Sequence, residues 1–303
     1  MNRKLINSII SKKVKSWLNS ITDEKLKDII RLNIIVTGGC IASMLLGEEI
    51  NDFDIYFRNK ETVKAVADYY VKLFKEQHPD IQKSISVIDF NPYDPEKEPT
   101  DRIRIVVKSS GEAEAEPEIE DFNNIVNEEN NEDEAEPKTD KKQKEYKPKY
   151  LSSNAITLSD KIQLIIRFYG EPAEIHENYD FVHCTNYWDS KNHELVLKSE
   201  AMEALLTKEL KYVGSKYPLC SVIRTRKFIN KGWFISAGQY LKMLFQISKL
   251  ELNNIRVLED QLVGVDSAYF AQIIEIMRND LEKGIIEDID EAYVAKLVDK
   301  IFN

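Results

Sequence analysis

Residues Asn33–Asn59 read NIIVTGGCIASMLLGEEINDFDIYFRN, and the rest of the chain is arranged around them. Ile34–Val36 is a short apolar run with the composition of a buried strand. Thr37-Gly38-Gly39 then turns the chain. From Cys40 to Leu46 apolar residues recur at helical spacing, and Gly47 can supply the left-handed conformation that ends a helix. Asn51–Phe57 alternates polar with apolar residues. A strand of period two places Asp52 and Asp54 on one face, with Phe53 and Ile55 on the other.

That geometry implies a chemistry. Two carboxylates two residues apart on one face can share hard divalent cations, Mg²⁺ or Mn²⁺. A pair of such metals clamps the attacking and leaving oxygens of a phosphoryl transfer. Gly38 and Gly39 have no side chain, so a triphosphate can approach their backbone N–H groups closely. The helix that follows aims its positive end at the same place. A solvated Asp-x-Asp edge is the bland alternative. The Gly-Gly turn just upstream, across a strand–turn–helix–strand unit, favours the metal site.

Gly38-Gly39-x-Ile41-x-x-x-Leu45-Leu46-Gly47 followed by Asp52-x-Asp54 resembles the signature of class II tRNA nucleotidyltransferases and bacterial poly(A) polymerases, GGxVRDxLLGxxxxDxD, position for position. The family's Arg-Asp pair falls here on Ala42-Ser43. A second stretch, Tyr179–Asp189, is similar to the family's nucleotide-binding RRDFTxNA motif. Asp180-Phe181 matches its Asp-Phe, and Asp189 falls at a later Asp. The two arginines become Asn178-Tyr179, and the Asn becomes Cys184. By resemblance Asp180 sits near the sugar of an incoming nucleotide. The family's EDxxR motif, which pairs with the base, has no counterpart; Lys216–Cys220 occupies its neighbourhood.

With 303 residues and 43% hydrophobic content, the chain is long enough for about two domains with a real core. No run of 18 apolar residues occurs, so no membrane span is expected. The basic N-terminus has helical periodicity and reads as a first helix, not a signal peptide. Cys40, Cys184 and Cys220 show no paired spacing, which points to a reducing, cytoplasmic setting, and with the four histidines they form no zinc pattern. A net charge of −10 argues at first against a nucleic-acid partner. Gly111–Lys149, however, holds fourteen acidic and six basic residues; it supplies −8 of that total and leaves the remainder near neutral.

In chain order, residues 4–18, 22–31 and 60–74 read as amphipathic helices. Residues 81–90, 102–107, 155–158 and 161–168 read as strands. Gly111–Pro148 is Glu/Asn/Lys-rich and repeats Glu-Ala-Glu-Pro; it is expected to be a disordered acidic insertion, with a short helix near Phe122–Val126. From Ser199 the chain is helical. Pro218–Phe234 is a basic helix in which Arg224, Lys227 and Lys231 share a face suited to a triphosphate or an RNA backbone. Phe228 and Trp233 are expected to pack on the sheet domain. Further helices are expected over 236–250, 252–263, 267–282 and 289–302.

The expected fold class is α+β. A nucleotidyltransferase head with a small mixed or antiparallel sheet and flanking helices spans 1–198, and an α-helical neck-like domain spans 199–303. The resemblance implies template-independent transfer of a nucleoside monophosphate from an NTP to the 3′-hydroxyl of an RNA, a tRNA-like acceptor. Asp52 and Asp54 are its catalytic metal ligands. Gly38, Gly39, Asp180, Arg224 and Lys227 bind the nucleotide. Asp160 and Asp180 are candidates for a third carboxylate. Two alternatives stay open: nucleotidyl transfer to another acceptor (a protein, a small molecule, or a tRNA that is thereby inactivated), and a non-catalytic binding or structural descendant. Base choice and oligomeric state are not legible.

Overall fold

The structure, a computed structural model, describes residues 1–79, 85–90, 102–107, 146–252 and 290–302, together with 254, 257–258, 261, 276–277, 279–281 and 283–285. The chain divides into two compact units, one built from Met1–His176 with Cys184–Ala201 and the other from Glu177–His183 with Met202–Asn303.

In the first unit, helix α1 (Arg3–Ser20) starts where the Asn2 side chain accepts the Leu5 N–H. Its buried residues Ile6, Ile10, Val14 and Trp17 form one stripe, and the Trp17 indole donates to the Tyr70 hydroxyl at 2.7 Å. Helix α2 (Glu24–Arg31) is capped in the same way by Asp23. Strand β1 (Ile34–Thr37) is buried throughout. Helix α3 (Gly39–Leu46) ends on Gly47 at φ +76°. Strand β2 (Phe53–Phe57) and helix α4 (Lys60–Gln77) follow, the latter capped by Asn59. Strands β3 (Ile85–Phe90) and β4 (Arg102–Val107) make a separate antiparallel pair. Strands β5 (Pro148–Leu151), β6 (Ala155–Leu158) and β7 (Ile162–Tyr169) return to the main sheet, followed by the short helix α5 (Pro172–His176) and strands β8 (Tyr187–Asp189) and β9 (Glu194–Val196).

The main sheet has seven strands in the order β5-β6-β7-β2-β1-β8-β9. Only β2 and β7 run parallel; the other neighbours are antiparallel, so the sheet is mixed and the class is α+β. β1 and β2 lie at its centre, where Ile34, Val36, Phe53, Ile55 and Phe57 join the core formed with α1 and α4. This central position fixes the register of the two strands, since a one-residue slip would turn that apolar face outward.

The second unit contains most of α6 (Ser199–Thr207), then α7 (Pro218–Asn230), α8 (Ala237–Ile247) and α9 (Glu291–Phe302). The Phe181–Tyr212 bridge ties residues 180–182 to 211–213, with Val182 N–H donating to Lys211 O and Val213 N–H to Asp180 O. Helix α7 ends at Asn230, four residues earlier than its sequence suggests. Gly232 adopts φ +80° and Trp233 N–H folds back onto Phe228 O, so Lys231 is the C-cap and not a helical residue. Phe228 and Trp233 have aromatic neighbours within the second unit. They surround His183 with Phe181 inside the second unit, the His183 ring lying 4.3 Å from Trp233 and 4.9 Å from Phe228. His183 is buried there, and burial lowers its pKa to about 4.

Residues 111–145 of the acidic segment, including 122–126, lie outside the described residues, as do 81–84 and most of 252–263 and 267–282. The end of the acidic segment is described: Tyr146 is buried and Pro148 opens β5.

Candidate metal and nucleotide site

The site is built on the β1–α3–β2 unit. Thr37 closes β1 and stands opposite Asp54 of β2. Gly38 follows at φ +95°, ψ −152°, a conformation essentially confined to glycine, and its N–H donates to Cys184 O at 3.1 Å. Gly39 opens α3 and is exposed, and a β-carbon built on it meets nothing within 4 Å. No side chain caps α3. Its first turn therefore presents backbone N–H groups and the positive end of the helix dipole, the features that receive an anion.

Asp52 immediately precedes β2 and is exposed. Asp54, within the strand, is half-buried, while Phe53 and Ile55 between and beyond them are buried. The alternation thus puts both carboxylates on the face away from the core. Cys40, in the first turn of α3, is buried; burial first, and the Asp54 charge second, push its thiol well above the ordinary range. Backbone amides of Ile41 and Asp54 reach the same sulfur, so α3 begins beside Asp54.

Two carboxylates on one edge suit Mg²⁺, which keeps several waters and takes one or two protein carboxylates plus substrate phosphates. Among the described residues no group of three or more His, Cys, Asp or Glu gathers to form a closed metal cage. The two candidate third carboxylates lie in different units. Asp160 lines a cleft with Asp52, Lys149, Ser159 and Lys161, but its carboxylate is 2.7 Å from Lys13 Nζ. Asp180 belongs to the second unit. On β7 the residue beside Asp54 is Gln163, an amide.

Behind β1 runs a buried polar chain that sequence reading did not find. Thr37 Oγ1 lies 2.8 Å from His176 Nε2 and 2.9 Å from Asn186 O, and His176 Nδ1 lies 3.0 Å from Lys198 Nζ. One proton arrangement satisfies all three: Lys198 donates to Nδ1, Nε2–H donates to Thr37, and Thr37 donates to Asn186 O. Burial and the Lys198 charge lower the His176 pKa to about 3, so the ring is neutral and the arrangement persists at physiological pH. Arg58, just past β2, donates to Asp189 at 2.8 Å and to Glu171 at 3.1 Å. Asp189, the later Asp of the second motif, is thereby taken up in a buried ion pair that joins strand ends.

In the second unit, Asp180 Oδ2 accepts from Arg224 Nη1 at 2.8 Å, and Asp180 Oδ1 accepts from Phe181 N–H. Two residues picked separately as nucleotide ligands are thus partners of each other. Lys227 and Lys231 are exposed.

A family model described as Gabija anti-defense 2 matches residues 8–208, well over half of the chain. The chain belongs to the Gabija anti-defense 2 family. The match contains Gly38, Gly39, Asp52, Asp54 and Asp180 and stops before Arg224 and Lys227. Gabija anti-defense 2 of Bacillus phage SPbetaL7 is 23% identical over 152 residues, 47% of this chain and 38% of that protein. The alignment therefore spans well under half the length of this relative. Among solved structures, the Bacillus stearothermophilus CCA-adding enzyme in complex with CTP aligns over 83% of this chain and 50% of its own, with 13% identity and a TM-score of 0.37. A tRNA nucleotidyltransferase complexed with a primer tRNA and an incoming ATP analog aligns over 86% and 59%, with 11% identity and a TM-score of 0.37. The Thermotoga maritima CCA-adding enzyme complexed with tRNA aligns over 88% and 52%, with 12% identity and a TM-score of 0.36. Scores of this size settle nothing about activity. Among the described residues no helix is long and apolar enough to cross a membrane.

Proposed function

We propose that the chain is a metal-dependent nucleotidyltransferase that moves a nucleoside monophosphate from an NTP to a hydroxyl acceptor. The observation that carries this reading is the pairing of Asp52 and Asp54 on the solvent-side face of β2 with a helix α3 that no side chain caps. The exposed Gly39 and the first turn of α3 receive the triphosphate, and Gly38, whose N–H is given to Cys184 O, shapes the turn. The two carboxylates hold the divalent cation against it. When bound, the metal polarises the phosphates and stabilises the charge that develops on the departing pyrophosphate. The acceptor oxygen attacks the α-phosphorus, the bond to the bridging oxygen breaks, and pyrophosphate leaves. Thr37, fixed by His176 and Asn186, holds the end of β1 in place and with it the turn at Gly38.

The signature around Asp52 and Asp54 favours an RNA 3′-hydroxyl as the acceptor, with Asp180, Arg224 and Lys227 contributing to nucleotide binding. Family membership favours a second reading, in which the acceptor is a component of the Gabija defence that the family's name says it counters. The replacement of EDxxR by Lys216–Cys220 agrees with the second reading, because ordered addition of particular bases requires a base-pairing element.

The two readings separate in one experiment. The purified chain is incubated with each α-labelled NTP, Mg²⁺ and an extract of cells carrying the defence, and RNA and protein are resolved separately. Label in RNA of tRNA size supports the first acceptor, and label in a defence protein supports the second. Label in neither fraction nor in any small molecule of the extract, and no pyrophosphate released from any NTP, overturns the enzymatic reading.

A further inference from the structure

We propose that the second unit carries a docking surface for single-stranded nucleic acid, formed by Lys208, Lys227, Lys231 and Phe234 and continued by Lys242 and Phe245 on α8. Its test needs no turnover.

Charge is the first ground. The chain as a whole carries −10, yet Thr207–Leu250 contains nine Lys and Arg residues and a single acid, Glu209. A local excess of cations in an acidic protein is the electrostatic footprint of a polyanion partner.

Geometry is the second ground. The Glu209–Phe234 bridge joins two stretches far apart in sequence, with Phe234 N–H donating to Lys208 O at 2.9 Å and Leu210 N–H donating to Phe234 O at 2.8 Å. Lys208 Nζ lies 3.5 Å from Lys231 O, so these two lysines meet beside Phe234. Lys227 is one helical turn before Lys231. Phe234 is not buried by this arrangement; it remains 52% exposed. On α8, Gln239 and Gln246 turn inward to Tyr212, and Met243 is buried. Lys242 is exposed but its Nζ reaches Tyr212 O at 3.5 Å, while the outward face shows Leu241, Leu244 and Phe245, the last 70% exposed, with Lys249 exposed in the turn that follows.

Exposed phenyl rings flanked by lysines match one ligand chemistry well. Lysines track phosphates, and a bare ring stacks on any unpaired base. A duplex keeps its bases stacked inside and offers the rings nothing. A purely apolar patch would suit a protein partner, but around Phe234 the lysines Lys208 and Lys231 interrupt it.

The test uses the full chain and a labelled single-stranded oligonucleotide, in RNA and in DNA form, with affinity read at several salt concentrations. Wild type is expected to bind, and the RNA and DNA arms show which sugar is preferred. Lys227→Glu with Lys231→Glu should weaken binding and flatten the salt slope by about 1.4, on the basis of roughly 0.7 per phosphate contact on a single strand. Phe234→Ala with Phe245→Ala should weaken binding roughly tenfold or more while leaving the salt slope unchanged. Both pairs lie on the surface, so circular dichroism should match wild type. Asp54→Ala should bind as wild type does, which separates failure of this surface from failure of the catalytic reading. The proposal is overturned if no oligonucleotide binds, if polyglutamate competes as well as RNA, or if the phenylalanine variants bind normally.

Discussion

Asp54 and Asp180 lie in different units and are held in different ways. Asp54 sits in a central strand whose neighbours Phe53 and Ile55 are buried, and its place follows from main-chain alternation and from the register with Thr37. Asp180 sits in irregular chain and is held by a side-chain partner, Arg224, together with the Phe181 amide. In the first arrangement strand geometry sets where the carboxylate stands. The second ties the carboxylate to a cation that a substrate would have to displace. Backbone geometry carries the first signature, and residue identity the second.

The sharpest way to break this comparison is to remove each aspartate in turn. Asp54→Ala should lower the rate of nucleotidyl transfer by about a thousandfold, since metal-borne charge stabilisation amounts to several kcal/mol, with little change in melting temperature. Asp180→Ala should show the reverse emphasis, a drop in stability on the order of 1–3 kcal/mol from the half-buried Arg224 left behind. Denaturant unfolding and transfer rates measured on both variants decide it. A stability loss confined to Asp54→Ala would invert the contrast.

The two glycines sharpen the same contrast inside the first unit. Gly38→Ala forces a side chain into φ +95° and should cost about 1–3 kcal/mol, visible as a fall in melting temperature. Gly39→Ala meets open space and should unfold as wild type does. If Gly39 approaches the phosphates as proposed, the same change should raise the KM for NTP. Identical melting curves for both variants would show that the turn is less constrained than its dihedral angles indicate.

In the second unit, the Asp180–Arg224 pair can be tested by a double-mutant cycle with Asp180→Ala and Arg224→Ala. A coupling on the order of 1 kcal/mol is expected for a partly buried, hydrogen-bonded pair. Additive single effects would mean that the pair contributes nothing.

A smaller effect concerns pH. His176 is held neutral with its pKa lowered to about 3, whereas an unfolded histidine titrates near 6.5. Between those values the unfolded chain binds more protons, so the stability this histidine contributes is complete above pH 6.5 and is lost as the pH falls towards 3. His183, lowered to about 4, acts in the same direction. His176→Gln should therefore flatten the decline in melting temperature between pH 6.5 and 4.5. An unchanged slope would remove His176 from the account.

What was legible in the sequence was local. The turn at Gly38, the stop at Gly47 and the alternation through Asp52 and Asp54 each depend on a few consecutive residues, and the elements fall where those residues place them. The Thr37–His176 contact joins residues 139 apart, and no spacing rule finds it. The early end of α7 was missed for a different reason. Gly232 was visible, but the apolar Trp233 and Phe234 beyond it read as a continuing helix, whereas Trp233 turns back onto His183. Arg224 was assigned to a shared basic face on helical periodicity, and periodicity cannot reveal that an acid 44 residues away has claimed it.

The most direct test of the central claim is the fate of the two ends of the triphosphate. The wild-type chain is incubated with acceptor extract and NTP labelled either at the α- or at the γ-phosphate, with Mg²⁺ or with EDTA. The account predicts that α-label enters the acid-insoluble fraction only with Mg²⁺, that γ-label is released as pyrophosphate, and that Asp52→Ala and Asp54→Ala each lower the transfer by about a thousandfold. Incorporation of γ-label, or α-label transfer that survives loss of both carboxylates, would contradict it.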